Sequence, residues 1–295
     1  MSEAVSEARG APSLLQTVAL TAAAMVAFAA NSLLCRLALQ HQGIDPASFG
    51  SIRLVSGALT LALVVRFRAR PPSPARVDWL AAAMLFAYVA FFSFAYLSLP
   101  AGTGALILFG AVQLTMLGAG LGSGERFGPV AWLGFVLAAG GLVYLVLPGV
   151  AAPPLLGAVL MAVAGVAWGV YSLRGRGVAD PMAATARNFL RAVPMALALS
   201  LIFVARAHAD AIGIALAVAS GAVTSGLGYV IWYAALARLS AMQAATVQLS
   251  VPLLAAIGGV LLLSEAITPR LAAASVAILG GIAIVLSQKS RNARR

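Results

Sequence analysis

Three arginines stand inside sequence apolar enough to lie within a membrane: Arg53, and Arg187 with Arg191 four residues further on. Residues four apart share a helix face. A guanidinium stays protonated, and burying it unpaired is costly, so it faces protein, water or a charged ligand rather than lipid. Such a group could lock a gate or capture a solute carboxylate; snorkelling of the long side chain to the headgroups is the alternative. Asp45-Pro46 and Asp180-Pro181 open two related segments, and Arg53 and Asn188 stand at matching places after the prolines. The uncharged polar candidates for a binding pocket are Asn31, Ser32, Gln113, Gln248 and Ser250. The aromatic candidates are Tyr88 and Phe92, spaced with Tyr96 as one helical stripe, then Trp168 and Tyr171, then Tyr229 and Trp232 beside Tyr233. Aromatic walls with a few fixed polar groups suit an amphipathic metabolite. Packing and interfacial belts compete for the same aromatics, with Trp79, Tyr96 and Trp132 nearest the segment ends. Pro194 and Pro252 interrupt two segments, and Pro252, close to Gln248 and Ser250, is the better hinge candidate.

The missing chemistry is equally informative. All eight carboxylates lie in tails or at segment ends, and His41 and His208 fall in connecting loops. A proton-coupled carrier usually carries an ionisable relay inside the membrane, so facilitated transport, or coupling through groups nearer the surface, fits better. Cys35 is the single cysteine, which excludes an intrachain disulfide and a multi-cysteine metal site. No paired Asp/Glu motif offers to hold a divalent cation on a phosphate, and no Ser/His/Asp set is in reach. The expectation is a non-enzyme with no catalytic residues, cofactor or metal. Glu125 and Glu265 form a related pair: each could make a gate ion pair with its neighbour Arg126 or Arg270, or favour the N-terminus of the next helix.

The elements that position these residues are set by composition. With 62% hydrophobic and 9% charged residues, the chain departs far from soluble domains, where charged residues are about 25%. Ten helices are predicted: 14–36, 46–66, 79–98, 102–122, 128–147, 154–173, 182–204, 211–236, 241–263 and 270–287. Period-2 alternation is absent, and the runs exceed the length of barrel strands. Residues 125–147 and 265–287 align without a gap, pairing Pro129 with Pro269 and Gly140-Gly141 with Gly280-Gly281; FAANSLLCR (28–36) meets WGVYSLRGR (168–176) at the same offset. A five-span unit starts and ends on opposite sides of a bilayer, so its copy is inserted upside down, an arrangement common among secondary transporters. The net charge of +11 has a topological explanation. With both termini inside, Arg66, Arg68, Arg70, Arg76, Arg174, Arg176 and the KSRNARR tail are inside, and Arg36, Arg206 and Arg270 outside. Nucleic acid is therefore not the expected partner; membrane lipids and a small solute are. The first span is too long for a signal peptide, its n-region holds Glu3 and Glu7, and it has a copy at 154–173.

The string AMQAATVQLSVPLLAAIGGVLLLSEAITPRLAAASVAILGGIAIVL (241–286) resembles the drug/metabolite transporter superfamily in its ten-helix, EamA-type branch. The matching features are a small-residue pair before Pro252-Leu253, the Leu-Leu-x-Glu ending at Glu265, and the Gly-Gly pair in the last span. The first half carries a weaker form at 102–125, with Val112 in the place of Pro252. The resemblance implies an all-helical integral membrane fold. It divides the chain into a cytoplasmic tail (1–13), two inverted five-helix repeats (14–147 and 154–287) and a basic cytoplasmic tail (288–295). It further implies alternating access in the cytoplasmic membrane and export of amino acids or related amphipathic metabolites. A multidrug exporter would share the fold, and a non-transporting membrane scaffold is the alternative from a different class.

Overall fold

Four aspartates begin four helices. Asp45, Asp78, Asp180 and Asp210 each accept hydrogen bonds on their side chains from backbone N–H groups in the first turn, satisfying donors that a helix leaves unpaired at its start. Proline takes the first helical position after Asp45 and Asp180, where its missing N–H costs nothing. Half of the chain's carboxylates are thereby committed to helix ends.

The computed structural model describes residues 14–68, 77–124, 128–176, 178–239 and 241–292, without the side chains of 241, 242 and 289–292. Within them lie α1 (Leu14–Gln40), α2 (Pro46–Phe67), α3 (Trp79–Ala95), α4 (Ala101–Gly122) and α5 (Pro129–Val146). The second half holds α6 (Leu155–Arg174), α7 (Pro181–Ile202), α8 (Ala211–Leu236), α9 in two pieces, Ala241–Val247 and Ser250–Leu263, and α10 (Pro269–Asn292). Eight of these spans are long and apolar enough to cross a membrane. The others are α3, apolar but 17 residues long, and α7, which carries Arg187, Asn188 and Arg191. Glu125 and Arg126 lie outside the described residues.

Packing pairs the halves. α2 lies on α7, α4 on α9, and α5 on α10. α3 packs on α6 as α8 packs on α1, and α4 on α6 as α9 on α1. Small residues allow close approaches: a Cβ on Gly281 would lie 2.5 Å from the Gly134 carbonyl oxygen, and one on Gly134 2.6 Å from that of Gly281. In lipid, where tails are as apolar as leucine, such tight contact is what holds helices together.

Two expectations need correction, and the interruption expected near Pro252 is found. α3 stops at Ala95 rather than 98, because residues 96–99 turn, with Leu97 N–H on Phe94 O and Leu99 N–H on Ala95 O, ahead of Pro100. α8 is not regular: 219–227 is π-helix, widened where Ser220 and Thr224 donate to Asn31 of α1 and where Gly221 presses on α2. α9 breaks at Gln248-Leu249. Pro252 has no N–H to give the Gln248 carbonyl, which accepts instead from Val251 N at 3.1 Å. α4 carries Val112 at the related place and stays unbroken, and Pro194 sits inside a continuous α7.

Candidate functional site

The bundle carries a cluster of buried polar side chains where α8 widens. A π-turn shifts hydrogen bonding by one residue and re-aims the side chains on that face. Here Ser220 Oγ and Thr224 Oγ1 lie 2.8 and 2.6 Å from Asn31 Oδ1, with Ser225 Oγ at 3.4 Å. The Asn31 amide in turn donates to the Thr224 carbonyl at 3.4 Å. Gly221 leaves room for the Arg53 carbonyl and the Ser56 hydroxyl of α2, so α2 and α8 meet beside this cluster.

Arg53 stands next to it, 1% exposed. Its Nε donates to Ser225 Oγ at 3.3 Å and its Nη2 to the Tyr88 hydroxyl at 3.0 Å. The guanidinium carbon lies 5.2 Å from the Tyr88 ring centre and 4.9 Å from that of Phe92, cation–π distances. Nη1 is buried and has no hydrogen-bond partner.

Aromatic rings continue from this point across four helices. Tyr88 and Trp168 are 4.8 Å apart, Trp168 and Tyr171 5.2 Å, Trp168 and Tyr229 5.7 Å, and Phe28 lies 5.9 Å from Tyr229 and 5.8 Å from Trp232. Phe92 links Tyr88 to Tyr96. Thr185 joins the other edge, accepting from Tyr171 at 3.3 Å and lying 2.6 Å from the Tyr233 hydroxyl. The rings are closed on one another.

Ion pairs bracket this centre at both ends of the bundle. At one end Arg36 Nε meets Glu265 Oε1 at 3.2 Å while its Nη1 donates to the Tyr96 carbonyl at 3.0 Å. Glu265 Oε2 accepts from Ala101 N at 2.8 Å, so one ion pair ties α1, the α3–α4 turn, the start of α4 and the end of α9. At the same end Asp45 accepts from His208 N, and Ile44 pairs with Ala209. At the other end Arg68 pairs with Asp180, and Arg174 with Asp78 at 2.8 Å. Burial pushes the Asp45 carboxyl up, but hydrogen bonds from Ser48, His208 and Ala47 outweigh it and hold the group below its ordinary value. Asp78 is lowered in the same way, Arg174 and the Ala81 N–H prevailing over burial.

The EamA-like transporter family signature matches residues 155–287. Across 280 residues the chain is 56% identical to an uncharacterized protein of Pseudomonas aeruginosa, covering 95% of this chain and 98% of that one. The chain belongs to the EamA-like transporter family. It is thus a multi-pass membrane protein of a family that moves small solutes. The fold is also that of a solved crystal structure, with a TM-score of 0.65 at 21% identity, covering 92% of this chain and 97% of the other.

Within this EamA-like transporter, Asn31, Arg53, Tyr88, Phe92, Trp168, Tyr171 and Tyr229 come together in one cluster, with Trp232 joined through Phe28. Ser32 is buried at 1% exposure. Gln113 is buried in α4 and Gln248 half-buried at the α9 break, neither with a side-chain hydrogen bond to a described residue. Ser250 turns inward on its own chain, donating to Val247 O at 2.7 Å. Arg187 and Arg191 are half-buried, and Arg191 reaches back over the Trp79 ring at 5.9 Å, away from the cluster. Snorkelling does not apply to Arg53, whose polar partners are in the bundle. Tyr96 is no belt residue: it is fully buried, and its hydroxyl donates to Ala101 O at 3.2 Å. Glu265 takes Arg36 rather than Arg270, because Arg270 is spent on the end of α5, where it donates to the Tyr144, Leu147 and Val150 carbonyls. Sequence reasoning missed Ser220, Thr224, Ser225, Thr185, Phe28 and Arg36. The one available signal was composition: Ser-Gly-Ala-Val-Thr-Ser-Gly at 220–226 is the most polar stretch of α8.

Proposed function

We propose that the protein exports amino acids or related amphipathic metabolites across the cytoplasmic membrane by alternating access, with both termini in the cytoplasm. The observation that carries this is a ring-lined polar centre enclosed between two sets of ion pairs, Arg36–Glu265 at one end and Arg68–Asp180 with Arg174–Asp78 at the other. A carrier needs such a centre reached from one side at a time, and breakable charge pairs at its ends are suited to that. The mirrored packing of the halves, with α3 on α6 and α8 on α1, supports two inverted five-helix repeats over 14–147 and 154–287. Pro252, at the break in α9, is the hinge, and Arg53 belongs to the binding centre rather than to a gate.

Counterflow in sealed proteoliposomes tests this: vesicles preloaded with one unlabelled amino acid should accumulate external label with no ion gradient. A panel in which no amino acid exchanges refutes the amino-acid assignment. Exchange of bulky cations alone would favour the multidrug reading, for which the same aromatic cluster speaks.

A further inference from the structure

We propose that the central site is an anion site, and that this transporter carries its solute as an amphipathic carboxylate held by Arg53, with no requirement for an amino group. The inference rests on the transport reading and narrows its substrate class.

Arg53 is buried in the middle of the bundle and cannot give up its proton. Ion pairs among the described residues go to Arg36, Arg68 and Arg174; Arg53 has none. Asp45, on the same helix, is about 12 Å away along the axis at 1.5 Å per residue and is occupied by Ala47, Ser48 and His208. The neighbours of Arg53 are neutral: two hydroxyls and two rings. Nη1, with two N–H groups, is buried and unpartnered. A guanidinium presents a planar fork matched to a carboxylate, and the Nη1 end of this fork is unused.

The same cluster argues against a cation. Asn31 Oδ1 with the Ser220, Thr224 and Ser225 hydroxyls is an oxygen-rich group, but Ser225 is also the acceptor for Arg53 Nε. A metal ion or an ammonium there would lie against an unneutralised positive charge. Among the described residues no carboxylate stands in the cluster to receive a solute's ammonium group. The rings over the guanidinium, Tyr88 and Phe92 with Trp168 behind, are closed on one another here and supply the apolar surface that would part around the body of the solute.

The test uses three probes sharing one ring and chain: L-phenylalanine, 3-phenylpropionate, which lacks the amino group, and 2-phenylethylamine, which lacks the carboxylate. In proteoliposomes the acid should drive counterflow at least as well as the amino acid, and the amine should not. In detergent the acid should raise the melting midpoint of the wild-type protein and change its tryptophan emission, the emission change being lost in Trp168→Phe. Arg53→Met should abolish the midpoint shift, and Arg53→Lys, which keeps the charge without the fork, should weaken acid binding at least tenfold. The amine exchanging as well as the acid would overturn the proposal. So would acid binding undiminished in both Arg53 variants, or no midpoint shift with the acid. If nothing exchanges but the acid still shifts the wild-type midpoint and not that of Arg53→Met, the transport reading fails and the anion site stands.

Discussion

Glu265→Gln should unlatch one end of the bundle, and the native cysteine can report it. Glu265 and Arg36 are 13% and 18% exposed in their side chains and 3.2 Å apart. At an effective dielectric of 20, their attraction is about 5 kcal/mol before desolvation. Measured hydrogen bonds to charged groups keep about 1.5–3 kcal/mol of such a figure, and glutamine keeps the shape while losing the charge. At 1.4 kcal/mol per decade, the population open at that end should rise roughly 10- to 100-fold. Cys35, the only cysteine, precedes Arg36 on α1, is 0% exposed, and lies against Ser93 of α3. A thiol reagent reaches it only when that end opens, so its labelling rate tracks the open population. Labelling should accelerate by that factor in Glu265→Gln and in Arg36→Gln, and the double variant should be no faster than either alone. A rate within twofold of wild type, or additive effects of the two changes, would refute the claim that this pair holds α1, α4 and α9 together.

Gly221→Ala puts a methyl against the Arg53 carbonyl and the Ser56 hydroxyl. It should cost about 1–3 kcal/mol as overpacking, read as a lowered melting midpoint, while Gly140→Ala, with nothing within 4 Å, should leave the midpoint unchanged. Gln113→Leu and Gln248→Leu should leave the fold intact, or stabilise it, while counterflow falls; unchanged flux would remove both from the transport path. Asp45 and Asp78 have lowered folded pKa values, so their stabilisation is present above the ordinary carboxylate value and is lost as pH falls through the lowered one. The melting midpoint should therefore drop on acidification below pH about 4. Asp45→Asn, which still caps α2, should show a shallower drop.

Hydropathy located eight helices long and apolar enough to cross a membrane, since crossing leaves a helix no choice but a long apolar run. The centre was half legible. The ring stripe on α3 and the aromatics of α6 and α8 announce themselves by size, and helical spacing puts Tyr88 and Phe92 on one face. Thr185, Ser220, Thr224 and Ser225 did not stand out because a hydroxyl in a membrane helix can bond to the carbonyl one turn back, as Ser93, Thr115 and Ser172 do. What sets Ser220 and Thr224 apart is a π-turn, and hydrophobic periodicity carries no sign of it. Charge pairing across the bundle was equally hidden: Arg36 and Glu265 are 229 positions apart, and only tertiary packing chooses between Arg36 and Arg270.

The wide turns of α8 also tie chain length to side-chain direction. A π-turn takes up one residue more than the α-turn it replaces. Removing one residue from 219–227 would let one of these wide turns close as an α-turn, leaving the helix on either side in place and redirecting the side chains within the segment. Ser225 would then swing off Arg53 while Ser220 kept its bond to Asn31. A natural relative one residue shorter in this segment should therefore keep the fold but differ in its solute, so insertions and deletions here are a place to look for altered specificity.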